Sequence, residues 1–204
     1  MMNLAKNINK IKKDLPSEVT LVIAVKYATK EQIKEIISLG VKDLGFNTFQ
    51  QLKEVKDDLL GVRIHFIGHL QSNKVKKLLQ LGIDLVQSVD SYKLAEKINT
   101  VSEELGIKQK ILLQVKTDLN KEHGFPALEL EEVIKRINGL KNIQLNGLMT
   151  IPPVKESKQS FILIKKYFDK FSKLEYLSMG MSNDYKVAIK EGANMVRLGR
   201  VVFN

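Results

Sequence analysis

Apolar residues along this chain follow two spacings in turn. Short runs in which hydrophobic positions are nearly continuous give way to segments in which they recur at three and four residues. That is the pattern of strands buried on both faces, each followed by a helix that buries one. The opening segment, roughly Met2 to Asp14, has helical spacing and reads as an amphipathic helix. The first strand is Thr20-Leu-Val-Ile-Ala-Val25. Further strands are predicted near Asp43–Phe46, Arg63–Gly68, Asp84–Ser88, Lys110–Lys116, Gln144–Met149, Glu175–Met179 and Met195–Leu198. Between them, sets such as Ile33, Ile36 and Ile37, or Val75, Leu78 and Leu79, mark helix faces.

Eight strands alternating with helices predict an α/β fold, a single (β/α)8 TIM barrel with an extra N-terminal helix, covering residues 1–204 as one domain. A doubly wound sheet would carry a glycine-rich nucleotide turn after its first strand, whereas Val25-Lys26-Tyr27-Ala28-Thr29 has no glycine. With 204 residues and 44% hydrophobic content the chain fills one core and leaves little for a second domain.

Composition narrows the function classes. The absence of cysteine excludes disulfides, thiolate metal ligands and a cysteine nucleophile, and it fits a reducing cytoplasm. No apolar run approaches a membrane span, and Met-Met-Asn-Leu-Ala-Lys opens without a signal-peptide core, so a cytoplasmic location and no membrane partner are expected. The net charge of +10 invites a nucleic-acid reading. Its lysines, however, are mixed with acids, as in Lys30-Glu-Gln-Ile-Lys-Glu35, and there is no tryptophan. That describes solvated helix faces, with a field that attracts small anions; no nucleic-acid partner is expected.

In a barrel the strand C-termini share one face, so the residues that end the strands converge. Lys26 is the first charged residue after an apolar run. A lysine amine drawn partly out of water at that point becomes nucleophilic enough to form a Schiff base with a carbonyl; the same placement also suits a lysine snorkelling at a strand end. Near the other end, Gly180-Met181-Ser182 precedes a helix and Arg197-Leu-Gly-Arg200 closes the last strand. A small-residue turn before a helix caps it or receives an anion, and two guanidiniums one strand later favour a phosphate. An amine and a phosphate clamp at one barrel mouth suit pyridoxal 5'-phosphate, which carries an aldehyde and a phosphate. His65 alternates within an apolar strand and reads as a hydrogen-bonded core residue, whereas His123, in a Lys-Glu-His-Gly turn, reads as solvated. Glu103 and Glu104 read as a solvated helix face. With three histidines scattered along the chain, no metal site is expected.

The ordered blocks Leu21-Val-Ile-Ala-Val-Lys26, Gly45-Phe-Asn47, His65-Phe-Ile-Gly-His-Leu-Gln-Ser-Asn-Lys74, Val86-Gln-Ser-Val-Asp-Ser91, Gly147-Leu-Met-Thr-Ile-Pro-Pro153, Leu177-Ser-Met-Gly-Met-Ser-Asn-Asp184 and Met195-Val-Arg-Leu-Gly199 carry a family likeness. On these the chain resembles the YggS/PROSC-type pyridoxal phosphate homeostasis proteins, whose barrel is similar to the N-terminal domain of alanine racemase. The resemblance implies an internal aldimine on Lys26, with Asn47 lining the cofactor ring. It implies that Ser178, the Gly180-Met181-Ser182 turn and Gly199 hold the phosphate, and that Arg197 faces the pyridine nitrogen. Two positions depart from the family pattern: Phe46 stands where an acid is usual, and Arg200 where a small hydroxyl residue is common, so that Arg200 would supply a charged phosphate contact instead. An arginine keeps its proton and leaves the ring a weak electron sink. The resemblance therefore implies a cofactor carrier in vitamin B6 homeostasis, with no catalytic residues and with transient apo-enzyme recipients of the cofactor. The alternative is a small racemase-like enzyme acting on amino acids.

Overall fold

The structure, a computed structural model, describes residues 4–117 and 122–204. Helix α1 (Leu4–Asp14) begins two residues later than expected, and Met2 lies outside the described residues. Then come β1 (Thr20–Ala24), α2 (Lys30–Ser38), β2 (Asp43–Phe46), α3 (Phe49–Val55), β3 (Arg63–Phe66), α4 (Val75–Leu79), β4 (Leu85–Val89), α5 (Tyr92–Glu104) and β5 (Gln109–Lys116). A two-residue strand, β6 (Phe125–Pro126), precedes α6 (Leu130–Ile137), β7 (Ile143–Thr150), α7 (Ser157–Phe168), β8 (Tyr176–Ser178), α8 (Tyr185–Lys190), β9 (Met195–Leu198) and α9 (Arg200–Phe203).

The strands are all parallel and ordered β4-β3-β2-β1-β9-β8-β7-β5, and β4 pairs with β5 to close the ring. Eight strands, each followed by a helix, make the (β/α)8 barrel that the alternation predicts. Every predicted strand is present, with ends shifted by one or two residues. The unpredicted β6 pairs Phe125 with Val115 and Pro126 with Lys116. Because β7 holds the other edge of β5 there, β6 sits on the edge that β4 has just vacated.

Parallel strands alternate their side chains between barrel and helices. Outward residues such as Ile23, Leu44 and Phe46 join Ile33, Ile36 and Leu52 from the helices in a continuous, fully buried layer. Each fully buried aliphatic side chain of this kind contributes about 1.5–3 kcal/mol. Phe46, where the family pattern has an acid, is therefore a helix-facing core residue and takes no part in a polar site. The inward set Val22, Leu85, Leu112, Met149 and Met195 forms a second apolar cluster that plugs the barrel. Helix α2 starts on a side-chain cap: Thr29 accepts from the Gln32 amide at 3.2 Å while Gln32 Oε1 accepts from the Thr29 amide at 2.9 Å. Such a reciprocal cap fixes where the chain turns from β1 into α2. Among the described residues no helix is long and apolar enough to cross a membrane.

Candidate functional site

Period-two alternation decides which strand-end residues meet. Inward Val22 and Ala24 lead to Lys26, Asp43 and Gly45 lead to Asn47, and Met195 leads to Arg197 and Gly199. These converge on a cavity of about 380 Å³ at the C-terminal barrel mouth, lined by Lys26, Asn47, Met181, Ser182, Arg197, Gly199 and Arg200 together with Gln32, Ile67, Ile151 and Phe203. A larger cavity of about 680 Å³ is lined by Lys108, Ile143 and Gln144, at the start of β5 and β7, and so lies at the opposite end of the barrel. Catalytic and cofactor groups in such folds gather at the C-terminal face, which selects the smaller cavity.

Three cations, Lys26, Arg197 and Arg200, line this cavity, and among the described residues no Asp or Glu side chain does. Lys26 falls two residues beyond β1 and is exposed, with Nζ 4.9 Å from the centre of the Tyr27 ring. This corrects the expectation of an amine drawn partly out of water by the strand. The chain leaves the barrel wall at Val25, so the lysine stem reaches into the open mouth. Asn47 is half-buried at the end of β2. The Ser182 hydroxyl accepts from the Gly199 amide at 3.4 Å and the Val201 amide at 3.2 Å, which joins the turn after β8 to the start of α9. Gly180 does not line the cavity. Its φ of +93° and the closeness of Ala188 Cβ and Tyr185 Cα leave no place for a side chain, so it sets the path of the turn that presents Met181 and Ser182.

Ser178 is placed behind the wall. Its hydroxyl is fully buried, donates to Gln87 Oε1 at 2.7 Å and accepts from Arg197 Nη1 at 2.8 Å. Arg197 also donates to the Ser178 carbonyl and, through Nη2, to the Thr150 carbonyl, both at 2.9 Å. These bonds occupy three of the guanidinium's five N–H donors. Burial pushes Arg197 down to about 10, with Asp184 acting in the opposite sense, and the side chain stays charged at neutral pH. Below it a polar thread crosses the barrel. Gln87 Nε2 lies 2.9 Å from His65 Nδ1, and His65 Nε2 lies 2.9 Å from Asp43 Oδ1. Since the amide nitrogen of Gln87 is a donor only, His65 accepts at Nδ1 and donates at Nε2, the hydrogen-bonded core role expected of it. Sequence reasoning missed Gln87, whose one sign was a polar residue at an inward position of a buried strand.

The thread ends where Arg63 pairs with Asp43, Nε to Oδ1 at 2.5 Å and Nη2 to Oδ2 at 2.6 Å. Burial opposes ionisation of Asp43, but the bonds from His65 and Arg63 outweigh it and hold the carboxyl below its usual range. Asp43→Ala is expected to lower unfolding stability by about 1–3 kcal/mol, because it leaves the buried His65 Nε2–H without its acceptor, while the exposed Arg63 guanidinium returns to water. The sign with pH follows. A depressed carboxyl contributes stability above the unfolded value of about 3.9 and loses it as pH falls through the folded value, so urea melts of parent and variant should converge in acid.

His69, after β3, Asp90, after β4, and His123, before β6, come together at the rim, their ligand atoms within 4.8 Å of one another. Histidines far apart in sequence are neighbours here because consecutive strand ends are adjacent in the barrel. His123 is exposed, as its turn predicts.

A barrel of eight parallel strands with a lysine- and arginine-lined cavity at its C-terminal mouth is the class that fold and site define. The family model described as "Alanine racemase, N-terminal domain" matches residues 1–204, and the chain belongs to this family. It is 38% identical over 193 residues to the pyridoxal phosphate homeostasis protein of Helicobacter pylori (91% of this chain, 87% of the relative). It is 35% identical over 198 residues to that of Aquifex aeolicus (90% and 85%). Among solved structures it resembles PipY of Synechococcus elongatus with PLP bound (TM-score 0.91, 30% identity, 99% of this chain and 100% of that one). Alanine racemase of Clostridium difficile shares the fold (TM-score 0.80, 19% identity, 98% of this chain and 56% of that one).

Proposed function

We propose that this protein binds pyridoxal 5'-phosphate at the barrel mouth and acts in vitamin B6 homeostasis, holding the cofactor in the cytoplasm and releasing it to apo-enzymes without a committed turnover of its own. The observation that carries the reading is the lining of the 380 Å³ cavity, three cations and, among the described residues, no Asp or Glu side chain, with apolar walls from Ile67, Ile151, Met181 and Phe203. That donor set fits a flat ring bearing a phosphate. The volume falls in the range of about 300–1,000 Å³ usual for small-ligand sites. The names of the curated relatives and the PLP held by PipY point the same way.

When bound, the cofactor supplies an aldehyde for covalent attachment and a ring able to accept electrons. Lys26 would offer the amine, from an exposed position that lets cofactor enter and depart. Ser182, Gly199 and Arg200 would hold the phosphate, with Gly180 and Met181 shaping the turn. Asn47 would line the ring's side of the cavity. Arg197, which keeps its proton, would serve the ring nitrogen, and Ser178 fixes its guanidinium from behind. A permanent cation there withholds a proton from the ring nitrogen and so disfavours racemase-like chemistry.

The reading is tested by incubating the holo-protein with a PLP-dependent apo-enzyme and with amino acids. Recovery of the apo-enzyme's activity, without racemisation or solvent deuterium uptake at the α-carbon, is the expected result; rapid racemisation by the protein itself would favour the enzyme reading. Within the site, Ser182→Ala is expected to weaken PLP binding by about 1–2 kcal/mol and to leave binding of unphosphorylated pyridoxal nearly unchanged. Equal losses for both, in parallel titrations, would take Ser182 out of the phosphate contacts.

A further inference from the structure

We propose that His69, Asp90 and His123 form a binding site for a divalent transition-metal ion, zinc by preference, apart from the cofactor cavity, whose walls include none of the three. Asp90 Oδ2 lies 3.4 Å from His69 Nδ1 and 3.3 Å from His123 Nδ1. Direct charge-assisted hydrogen bonds between such groups close to about 2.7–2.9 Å. A tetrahedral zinc ion with bonds of about 2.0–2.2 Å instead holds its ligand atoms about 3.4 Å apart. The two separations from Asp90 match that edge, and all three ligand atoms lie within 4.8 Å of one another. The two imidazoles stack with centroids 4.2 Å apart and planes 26° from parallel, which turns both Nδ1 atoms toward one carboxylate oxygen.

The backbone builds this arrangement. Ser88 donates to the Gly68 carbonyl at 2.5 Å and ties the residue before His69 to β4, two residues ahead of Asp90. On the other side β6 occupies the edge of β5 just beyond β4, which carries His123 alongside the β4 end. Gly124 makes the approach: its φ is +119°, and a Cβ there would stand 2.9 Å from the Lys116 nitrogen and 3.1 Å from the Gln114 carbonyl oxygen. Only a glycine lets the turn lie this close to β5. The Asp90 side chain is 9% exposed, whereas His69 and His123 are 49% and 53% exposed, so an ion has a way in and an open fourth position for water. Two imidazoles and one carboxylate without thiolate favour zinc, and also cobalt, nickel or copper, over magnesium or calcium.

The test is calorimetric titration of the chelator-treated full chain with zinc chloride, with cobalt absorption as a geometric readout. One equivalent of zinc and an intense tetrahedral cobalt spectrum are expected. Asp90→Asn, His69→Ala and His123→Ala should each weaken zinc binding by at least about 100-fold, since even outer-shell losses cost about 10–100-fold. His123 is exposed in a turn, so its variant tests the site without disturbing the barrel, and thermal melts check the other two. Absence of stoichiometric uptake by the parent, or uptake that survives both Asp90→Asn and His123→Ala, would overturn the proposal.

Discussion

Lys26→Ala is expected to abolish covalent capture of pyridoxal phosphate: the purified variant should be colourless, and borohydride should fix no cofactor to it. In the parent, peptide mapping after reduction should find the label on Lys26 alone. The cavity lining explains the selectivity, because among the described residues Lys26 is the one lysine that lines it. Folding should be unaffected, since the side chain is exposed beyond β1 and its removal opens no core cavity. A label on Lys116 or Lys74 would move the attachment point to another strand end and overturn the assignment of the β1 mouth.

The second large effect is expected at Arg197. Arg197→Gln should weaken PLP binding by roughly 10–100-fold, the loss of one charged donor worth about 1.5–3 kcal/mol, and should change the pH dependence of the bound cofactor's spectrum. Glutamine retains an amide that can still serve the Ser178 or Thr150 carbonyl, so the barrel wall survives. A carboxylate at this position would instead face those carbonyls from a fully buried site. A folded variant with unaltered affinity and spectrum across pH would mean that Arg197 serves only the protein wall. Unchanged ring behaviour with lost phosphate discrimination would place it at the phosphate.

Of the two residues, Lys26 was legible in the sequence for a physical reason. A strand buried on both faces must be apolar throughout, so the first charge after Thr20–Val25 marks the strand mouth, and Lys26 stands out without any coordinates. The same logic exposed eight strands and hence the closed barrel. Arg197 broke the rule by lying inside a strand, and the family likeness, with no help from periodicity, gave it a role.

What the sequence by itself determined about this protein was its repeating βα pattern, the position of each strand end and the identity of the amine and the guanidiniums there. Tertiary structure alone decided which of those groups touch. Ser178, expected on the phosphate, faces Gln87 and Arg197 from behind, because its register opposite Met195 sets it level with the barrel plug, below the mouth. Gln87, His65 and Asp43, from three different strands, form one diagonal thread because the parallel register of β2, β3 and β4, with Asp43 opposite Arg63 and His65 opposite Leu85, sets each of them one inward position further along than the last. His69, Asp90 and His123 meet for a similar reason. A two-residue strand ending in proline has no periodicity to read, yet its pairing with β5 carries His123 to the mouth of β4. Hydrophobic spacing reports how each segment meets the core, whereas contacts between distant segments depend on barrel closure and register, which are properties of the whole sheet.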